Sequence, residues 1–132
     1  MREILFRAKT VNENEWIYGD IYHRGACPEI MRIHDYKNRV NYAVNPETLG
    51  QYTGLMDKNG VRIFEGDLIR TAGNLERLFV VCWSDKSLQF VKKDAHLDDG
   101  AEYGIPNIKI FLYEIVGNVY DNPELVEREG IE

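Results

Sequence analysis

The stretch that decides the fold is residues 45–70, which read NPETLGQYTGLMDKNGVRIFEGDLIR. Its four glycines and one proline interrupt any helical pattern and indicate turns joined by short extended pieces. Asn45 is placed to cap a single turn begun by Pro46, and Asp57 to Gly60 fits a type I turn closed by a left-handed glycine. We interpret residues 45–70 as a turn-rich joint rather than as an active site.

Alternation of apolar and polar residues predicts strands on both sides of this joint, since side chains in a strand point to opposite faces in turn. The alternating runs before and after the joint are residues 4–8, 16–22, 31–34, 39–44, 67–71 and 111–120. Arg77 to Ser84 is apolar on both faces, which predicts a buried central strand.

The remainder of the second half is predicted to be less regular. Residues 88–91 form a short strand, and Lys92 to Asn107 is interpreted as a long polar loop. Asn122-Pro123 predicts the capped start of a short helix that runs through Val126 to Arg128. The predicted class is therefore mainly β, with one or two short helical pieces.

Composition indicates a globular chain of 132 residues, with 44% apolar and 29% charged residues. The two cysteines, Cys27 and Cys82, are too few for a disulfide scaffold and fit a reducing compartment. No apolar run resembles a signal peptide or a membrane span, so we expect a cytoplasmic protein without a membrane partner.

The charge is uneven along the chain. Residues 1–93 carry 14 Lys and Arg against 12 Asp and Glu, whereas residues 94–132 carry 2 against 10, which gives a total of −6. An acidic tail repels phosphate and disfavours nonspecific binding to duplex DNA.

A Gly-Asp or Gly-Asn pair between apolar residues occurs three times, at Gly19-Asp20, Gly66-Asp67 and Gly117-Asn118. Glycine permits a sharp bend in a strand, and a short polar side chain can bond a nearby backbone N–H. None of the pairs precedes a helical pattern, as a phosphate-binding loop would require. We therefore predict that the pairs form structural corners.

Several motifs resemble the YopX family of bacteriophage and prophage proteins. They are REILFRA at 2–8, PETLGQYTGL at 46–55, DKNG at 57–60, IFEGD at 63–67 and GNVYDNPEL at 117–125. The resemblance implies a phage-encoded accessory protein of a bacterial host cell, with a β-rich fold that includes an SH3-like barrel, and it brings no catalytic residues. The residues of these motifs that could have a structural or binding role are Gly50, Gln51, Tyr52, Thr53, Gly54, Gly66, Asp67, Gly117 and Asn118.

The resemblance covers one YopX-like domain, residues 1–132. We divide it into an N-terminal β portion (1–44), the joint (45–70), an SH3-like barrel portion (66–121) and a short C-terminal helix with an acidic tail (122–132). Gln51, Tyr52 and Thr53 are the first place to look for a site, because the turns do not require their side chains.

No arrangement of residues predicts catalysis. His23, Cys27, His34 and Asp35 could approach one another, but their spacing matches no common zinc pattern. Cys82 is predicted to be a buried, inert thiol. We therefore expect no enzyme, no cofactor and no metal.

Two functions remain open. The first is a noncatalytic module that binds an unknown protein partner, with exposed candidates Tyr52, Tyr103 and Tyr113, and that self-associates to cover its edge strands. The alternative is a small barrel that binds nucleic acid through a basic, aromatic region. That region comprises Arg24, Arg32, Lys37, Arg39, Tyr22, Tyr36 and Tyr42.

Overall fold

The computed structural model describes residues 2–22, 31–71, 74–97, 99–106 and 113–127. The chain divides into two compact units, Met1–Gly54 and Leu55–Glu132. The boundary therefore falls inside the segment that the sequence identifies as a joint.

The first unit is an antiparallel sheet of five strands. They are β1 (Phe6–Lys9), β2 (Trp16–Tyr22), β3 (Arg32–Asp35), β4 (Val40–Ala43) and β5 (Gly50–Met56), with a 3₁₀ helix at Pro46–Thr48. The hydrogen-bonded order is β4-β3-β2-β1-β5. Asn45 caps the 3₁₀ helix, because its Oδ1 accepts a hydrogen bond from the Glu47 N–H at 3.1 Å, as the sequence predicts.

One face of this sheet is the core of the first unit, formed by Ala8, Ile33 and Val44 with half-buried apolar neighbours. Gly19 lies on the core face of β2, where a β-carbon would stand 1.9 Å from the His34 carbonyl oxygen. The backbone of β3 therefore approaches β2 only because residue 19 is glycine. The residues before and after each core-facing residue of a strand point to the other face of the sheet.

The second unit has six further strands. They are β6 (Arg62–Phe64), β7 (Asp67–Thr71), β8 (Asn74–Ser84), β9 (Gln89–Asp94), β10 (Tyr103–Gly104) and β11 (Tyr113–Asn118), followed by a 3₁₀ helix at Pro123–Leu125. Five of them form an antiparallel sheet in the order β10-β9-β8-β7-β11. β8 lies at its centre, as predicted. The buried core consists of Ile63, Ile69, Phe79, Val81 and Tyr113.

The turn at Asp57 to Gly60 forms as predicted and joins β5 to β6. The Asp57 carboxylate accepts hydrogen bonds from the N–H groups of Asn59 and Val61 at 2.8 and 2.9 Å, and Gly60 has a φ of +79°. The same carboxylate accepts from the Ile115 N–H at 3.3 Å, which ties the turn to β11. The joint is more regular than expected, because residues 50–56 form one continuous strand.

The corner predicted at Gly66-Asp67 is present. Gly66 has a φ of +91°, and a β-carbon there would lie 2.9 Å from the Tyr120 ring. The buried Asp67 carboxylate accepts a hydrogen bond from the Phe64 N–H at 2.7 Å. Glycine and aspartate thus supply the backbone freedom and the acceptor that the bend requires.

Two predictions for the second unit are wrong. Lys92 to Asn107 is not one long loop, because residues 92–94 extend β9 and residues 103–104 pair with it as β10. Asn122 does not cap the helix that follows it, because its Oδ1 accepts from the Asn118 N–H at 3.2 Å. Residues 128–132, the end of the predicted helix and tail, lie outside the described ranges.

The fold is therefore mainly β and antiparallel, with two short helical pieces, which confirms the predicted class. Within the described ranges the five-stranded sheet has two ends and does not close on itself, and the SH3-like barrel stays a prediction. Among the described residues, every helix is too short to span a membrane.

Candidate functional site

The residues of the family motifs lie in strands and in the bends between them. Gly50 to Gly54 belongs to β5 in the first unit. In the second unit, antiparallel pairing brings Gly66-Asp67 beside Gly117-Asn118, because Asn118 pairs with Asp67 and the Val119 N–H donates to the Gly66 carbonyl oxygen at 2.9 Å. Their polar groups bond nearby backbone, which is the behaviour of a corner.

The predicted exposure of two tyrosines is wrong. Tyr52 is 6% exposed and Tyr113 is 4% exposed, while Tyr103 is half-buried. Tyr52 lies on β5, which pairs with β1, and the register places it on the face of Arg7, where both side chains are buried.

The residues considered for metal or thiol chemistry are described only in part. His23 and Cys27 lie outside the described residues, and those that are described hold no group of three His, Cys, Asp or Glu that could bind a metal ion. Cys82 is half-buried, and burial raises the pKa of its thiol, which disfavours the reactive thiolate.

A cluster of cations and aromatic rings forms on β8, β9, β10 and β11. We define the Lys92 cluster as Arg77, Phe79, Lys92, Tyr103 and Tyr113. The Lys92 Nζ lies 5.2 Å from the centre of the Phe79 ring and 5.0 Å from the centre of the Tyr113 ring. It also donates to the Tyr113 Oη at 3.1 Å. Two buried rings thus hold the ammonium group in place.

Lys92 carries its charge at a cost. Burial lowers its pKa, and the positive charge of Arg77 lowers it further. Among the described residues, the ammonium of Lys92 forms no ion pair with a carboxylate. Its neighbour Lys93 differs, since it forms an ion pair with Glu102 at 3.7 Å. Lys92 is therefore available to a carboxylate from another molecule.

Arg77, by contrast, is already neutralised. Its Nε donates to the Asp94 carboxylate at 3.0 Å, and its Nη2 donates to the Tyr103 Oη at 3.3 Å. These two bonds raise the pKa of Arg77. Burial opposes ionisation of Asp94, but hydrogen bonds from the backbone of His96 and from Arg77 hold the pKa of that carboxyl below its ordinary value.

An exposed apolar patch lies at the turn end of the β8–β9 hairpin. We define the hairpin patch as Trp83, Leu88 and Phe90. The rings of Trp83 and Phe90 meet edge to face at 5.1 Å, Trp83 is 45% exposed and Leu88 is 71% exposed. Trp83 pairs with Phe90 and Val81 pairs with Lys92, so the two rings of the patch share the strand face of Lys92, and Leu88 lies in the turn that joins the two strands.

Sequence analysis missed this site for two reasons. The run from Arg77 to Ser84 was predicted to be buried along its whole length, although Trp83 emerges near its end. Lys92 was placed in a loop, although it alternates with Val91 and Lys93 within β9. Residues 90–94 read Phe-Val-Lys-Lys-Asp, which shows no apolar–polar alternation, so the sequence carries no period-two signal for the end of β9.

The first unit carries a different set of rings on the sheet face opposite the core of Ala8, Ile33 and Val44. We define the ring face as Tyr18, Tyr22, His34 and Tyr36. His34 lies 6.4 Å from Tyr22 and 4.5 Å from Tyr36 between ring centres, and it contacts Tyr36 edge to face. Tyr18 is 46% exposed and Tyr36 is 66% exposed.

Hydrogen bonds fix the orientation of these rings. The Tyr36 hydroxyl donates to the Asp20 carboxylate, which raises the pKa of Tyr36. The His34 Nδ1–H donates to the Asn41 Oδ1. Of the predicted basic, aromatic region, Arg24 lies outside the described residues, and Tyr42 packs against the core of the first unit.

Comparisons with known proteins agree with the fold. The family model described as "YopX protein" matches residues 5–127. The solved structure titled "Crystal structure of protein EF1440 from Enterococcus faecalis" is similar, with 23% identity over 96% of this chain and 100% of that chain and a TM-score of 0.51. That likeness concerns the fold alone. No curated protein matches the chain. The family match spans nearly the whole sequence, and the chain belongs to the YopX family.

Proposed function

We propose that the protein is a noncatalytic module that binds a partner protein through the β8–β9 hairpin. The hairpin patch receives an apolar side chain of an extended segment of the partner, and Lys92 receives a carboxylate two residues further along that segment. The observation that carries the proposal is an ammonium group fixed on two buried rings without a carboxylate of its own among the described residues.

The spacing supports an extended occupant. Phe90 and Lys92 are two residues apart on one face of β9, which corresponds to about 6.6 Å along a strand. Positions i and i+2 of an extended peptide have the same separation, so one segment can reach both groups. Exposed tryptophan in an apolar patch is also typical of residues that dominate binding energy at interfaces.

A nucleic acid fits this site less well than a protein. The rings beside Lys92 that belong to Phe79 and Tyr113 are buried, so they cannot stack on bases. The last third of the chain is strongly acidic, which repels a phosphate backbone but costs little against a single carboxylate at physiological ionic strength.

A peptide titration tests the proposal. The probe is acetyl-Ser-Leu-Ser-Glu-Ser-amide, and the control peptide carries Gln in place of Glu. NMR of ¹⁵N-labelled protein should show saturable shifts at the Trp83 indole N–H, with the Glu peptide about 5- to 10-fold tighter than the Gln peptide. Equal affinity for the two peptides, or no binding of either, contradicts the proposal.

Matched lysine variants sharpen the result. Lys92→Met should remove the preference for the Glu peptide, whereas Lys93→Met should retain it, because Lys93 already pairs with Glu102. The binding free energies of the Glu and Gln peptides to wild type and to Lys92→Met form a double-mutant cycle, which isolates the Lys92–carboxylate interaction. A preference that survives in Lys92→Met would place the carboxylate elsewhere.

The same proposal includes three finer expectations. We expect an SH3-like barrel around residues 66–121, self-association through edge strands, and action in the cytoplasm of a bacterial host that carries the gene on a phage or prophage. Family membership and the antiparallel sheets support these expectations. Light scattering after size exclusion tests self-association, and a monomer at 100-fold dilution from the NMR sample would contradict it.

A further inference from the structure

We propose that the ring face of the first unit binds the unpaired bases of single-stranded nucleic acid. This inference is independent of the protein-binding function proposed for the second unit, because it rests on other residues of another unit. The occupant is a single strand rather than a duplex or a protein.

The exposed rings provide the stacking surface. Tyr18 and Tyr36 are substantially exposed, and Tyr22, His34 and Tyr36 form a row joined by centre-to-centre distances of 6.4 and 4.5 Å. Tyr18 lies four residues from Tyr22 on β2, which is about 13 Å along the strand. Sheets with aromatic rings on neighbouring strands stack two or three bases in this manner.

The rings are held ready for a ligand. The Asp20 carboxylate anchors the Tyr36 hydroxyl, and Asn41 anchors His34, so a base would meet rings whose orientation is already set. A preorganised ring loses less conformational freedom when it binds. Base stacking also tolerates any sequence, because every base has a π-face.

The charge of this sheet face is complementary to a phosphate backbone. The strand register places Arg7, Lys9 and Arg32 on the face that carries the rings, against one carboxylate, Asp20, among the described strand residues. Arg7 and Lys9 are buried over the Trp16 ring, so they add positive potential to this face, while the half-buried Arg32 is the one of the three nearest to solvent. Asp35, the last residue of β3, accepts hydrogen bonds from the side-chain and backbone N–H groups of Asn38 at 2.8 and 3.3 Å. The local balance is therefore positive although the whole chain carries −6.

One cation has an unused donor. The Nη1 of Arg32 is buried and has no hydrogen-bond partner in the described part of the chain. Arg32 pairs with Tyr22 across β2 and β3, so its side chain leaves the sheet on the face that carries the rings. A phosphate oxygen, or the carbonyl oxygen of a stacked base, is a suitable acceptor for a guanidinium N–H.

Bases can stack on a sheet only when they are not paired in a duplex. The ring face should therefore prefer a single strand to a double strand. Base faces in a duplex are covered by their neighbours, whereas a single strand can splay its bases onto rings. Lys37 and Arg39, in the exposed turn that follows β3, can contact phosphates at the edge of the ring face. These contacts would add the salt dependence that phosphate binding shows.

Fluorescence anisotropy with 5′-labelled dT12 and with a labelled 12-base-pair duplex tests the inference. We expect the full chain to bind dT12 with micromolar affinity at 50 mM KCl, more tightly than the duplex, and to lose about 5- to 20-fold at 200 mM KCl. Tyr36→Ala should weaken dT12 binding at least 5-fold, whereas Tyr36→Phe should bind dT12 nearly as the wild type does, because it keeps the ring.

Three results would overturn the inference. They are no salt-sensitive binding of dT12, duplex binding as tight as dT12 binding, or unchanged affinity in Tyr36→Ala. Tyr36 is mostly exposed, so the variant should fold, and circular dichroism of Tyr36→Ala verifies this. Trp83→Ala, in the second unit, serves as a control that should leave dT12 binding unchanged. A protein that binds dT12 but not the Glu peptide would contradict the proposed function and leave this inference intact. A protein that binds the peptide but not dT12 would do the reverse.

Discussion

Tyr36 in the first unit is mostly exposed, whereas Tyr113 in the second unit is almost fully buried, although each ring lies against a polar partner on a sheet. The exposed ring is oriented by a carboxylate, and its surface is left for a ligand. The buried ring instead holds a lysine, and the lysine is what a ligand would meet. The difference is one of burial: the exposed ring of Tyr36 keeps its surface open to solvent, whereas the buried ring of Tyr113 positions a charge.

Replacing the two tyrosines should give the largest contrast. Tyr113→Ala removes a core ring and is expected to lower the free energy of unfolding by about 3–5 kcal/mol. Tyr36→Ala should change it by no more than about 0.5 kcal/mol, because little packing is lost at an exposed position. Urea denaturation followed by fluorescence measures both. Similar losses in the two variants would remove the distinction between the two kinds of ring.

Gly54 and Gly66 allow a similar comparison of an open and a crowded position in the backbone. Gly54 and Gly66 share a φ of +91°, but only at Gly66 does a β-carbon meet a neighbour, the Tyr120 ring. Gly66→Ala is therefore expected to cost about 2–4 kcal/mol from strain and overpacking, and Gly54→Ala about 1 kcal/mol from strain alone. Thermal unfolding of the two variants tests this order. A larger cost at Gly54 would contradict it.

The smallest effect concerns the lysine that the buried rings hold. Lys92→Met keeps the length of the side chain and removes a charge that burial disfavours, so stability should stay the same or rise by up to about 1 kcal/mol. That result would favour a role of Lys92 in binding over one in folding, since its ammonium has no ion-pair partner among the described residues. A loss of more than about 1 kcal/mol in urea unfolding would make Lys92 a structural residue.

The difference in stability between Lys92→Met and the wild type should depend on pH with a definite sign. The pKa of Lys92 is lowered in the folded state, so its charge destabilises the fold below that pKa. As pH rises towards the ordinary lysine value of about 10.4, the folded amine becomes neutral first and the penalty disappears. The stability gap between Lys92→Met and wild type should therefore narrow in thermal melts as the pH rises towards the ordinary lysine value. A gap that widens would contradict the burial of this charge.

Much of the fold could be predicted from the sequence, because it depends on local rules. Alternation located β2, β3 and β4, and the bends at Gly66 and Gly117 and the Asp57 turn follow from turn chemistry. The corner predicted at Gly19-Asp20 is wrong, because both residues lie inside the continuous strand β2. β10 could not be predicted, since two residues acquire strand geometry only by pairing with β9. The end of β9 was assigned to a loop because residues 90–94 show no apolar–polar alternation.

The candidate sites were harder to predict than the strands. Tyr22 and Tyr36 were expected in an aromatic region, and the structure places both on the ring face. The Lys92 cluster was missed, because it joins residues of four strands that are distant in sequence. Composition cannot reveal which of many tyrosines is buried, since that depends on the register between strands.

The most direct test of the account crosses the two faces with the two probes. Wild type, Trp83→Ala and Tyr36→Ala are each titrated with the Glu peptide and with dT12 at 50 mM KCl. The account predicts that Trp83→Ala weakens only peptide binding, by at least 5-fold, and that Tyr36→Ala weakens only dT12 binding, by a similar factor. If either substitution weakens both probes equally, or if neither substitution weakens any, the two faces do not have separate binding roles.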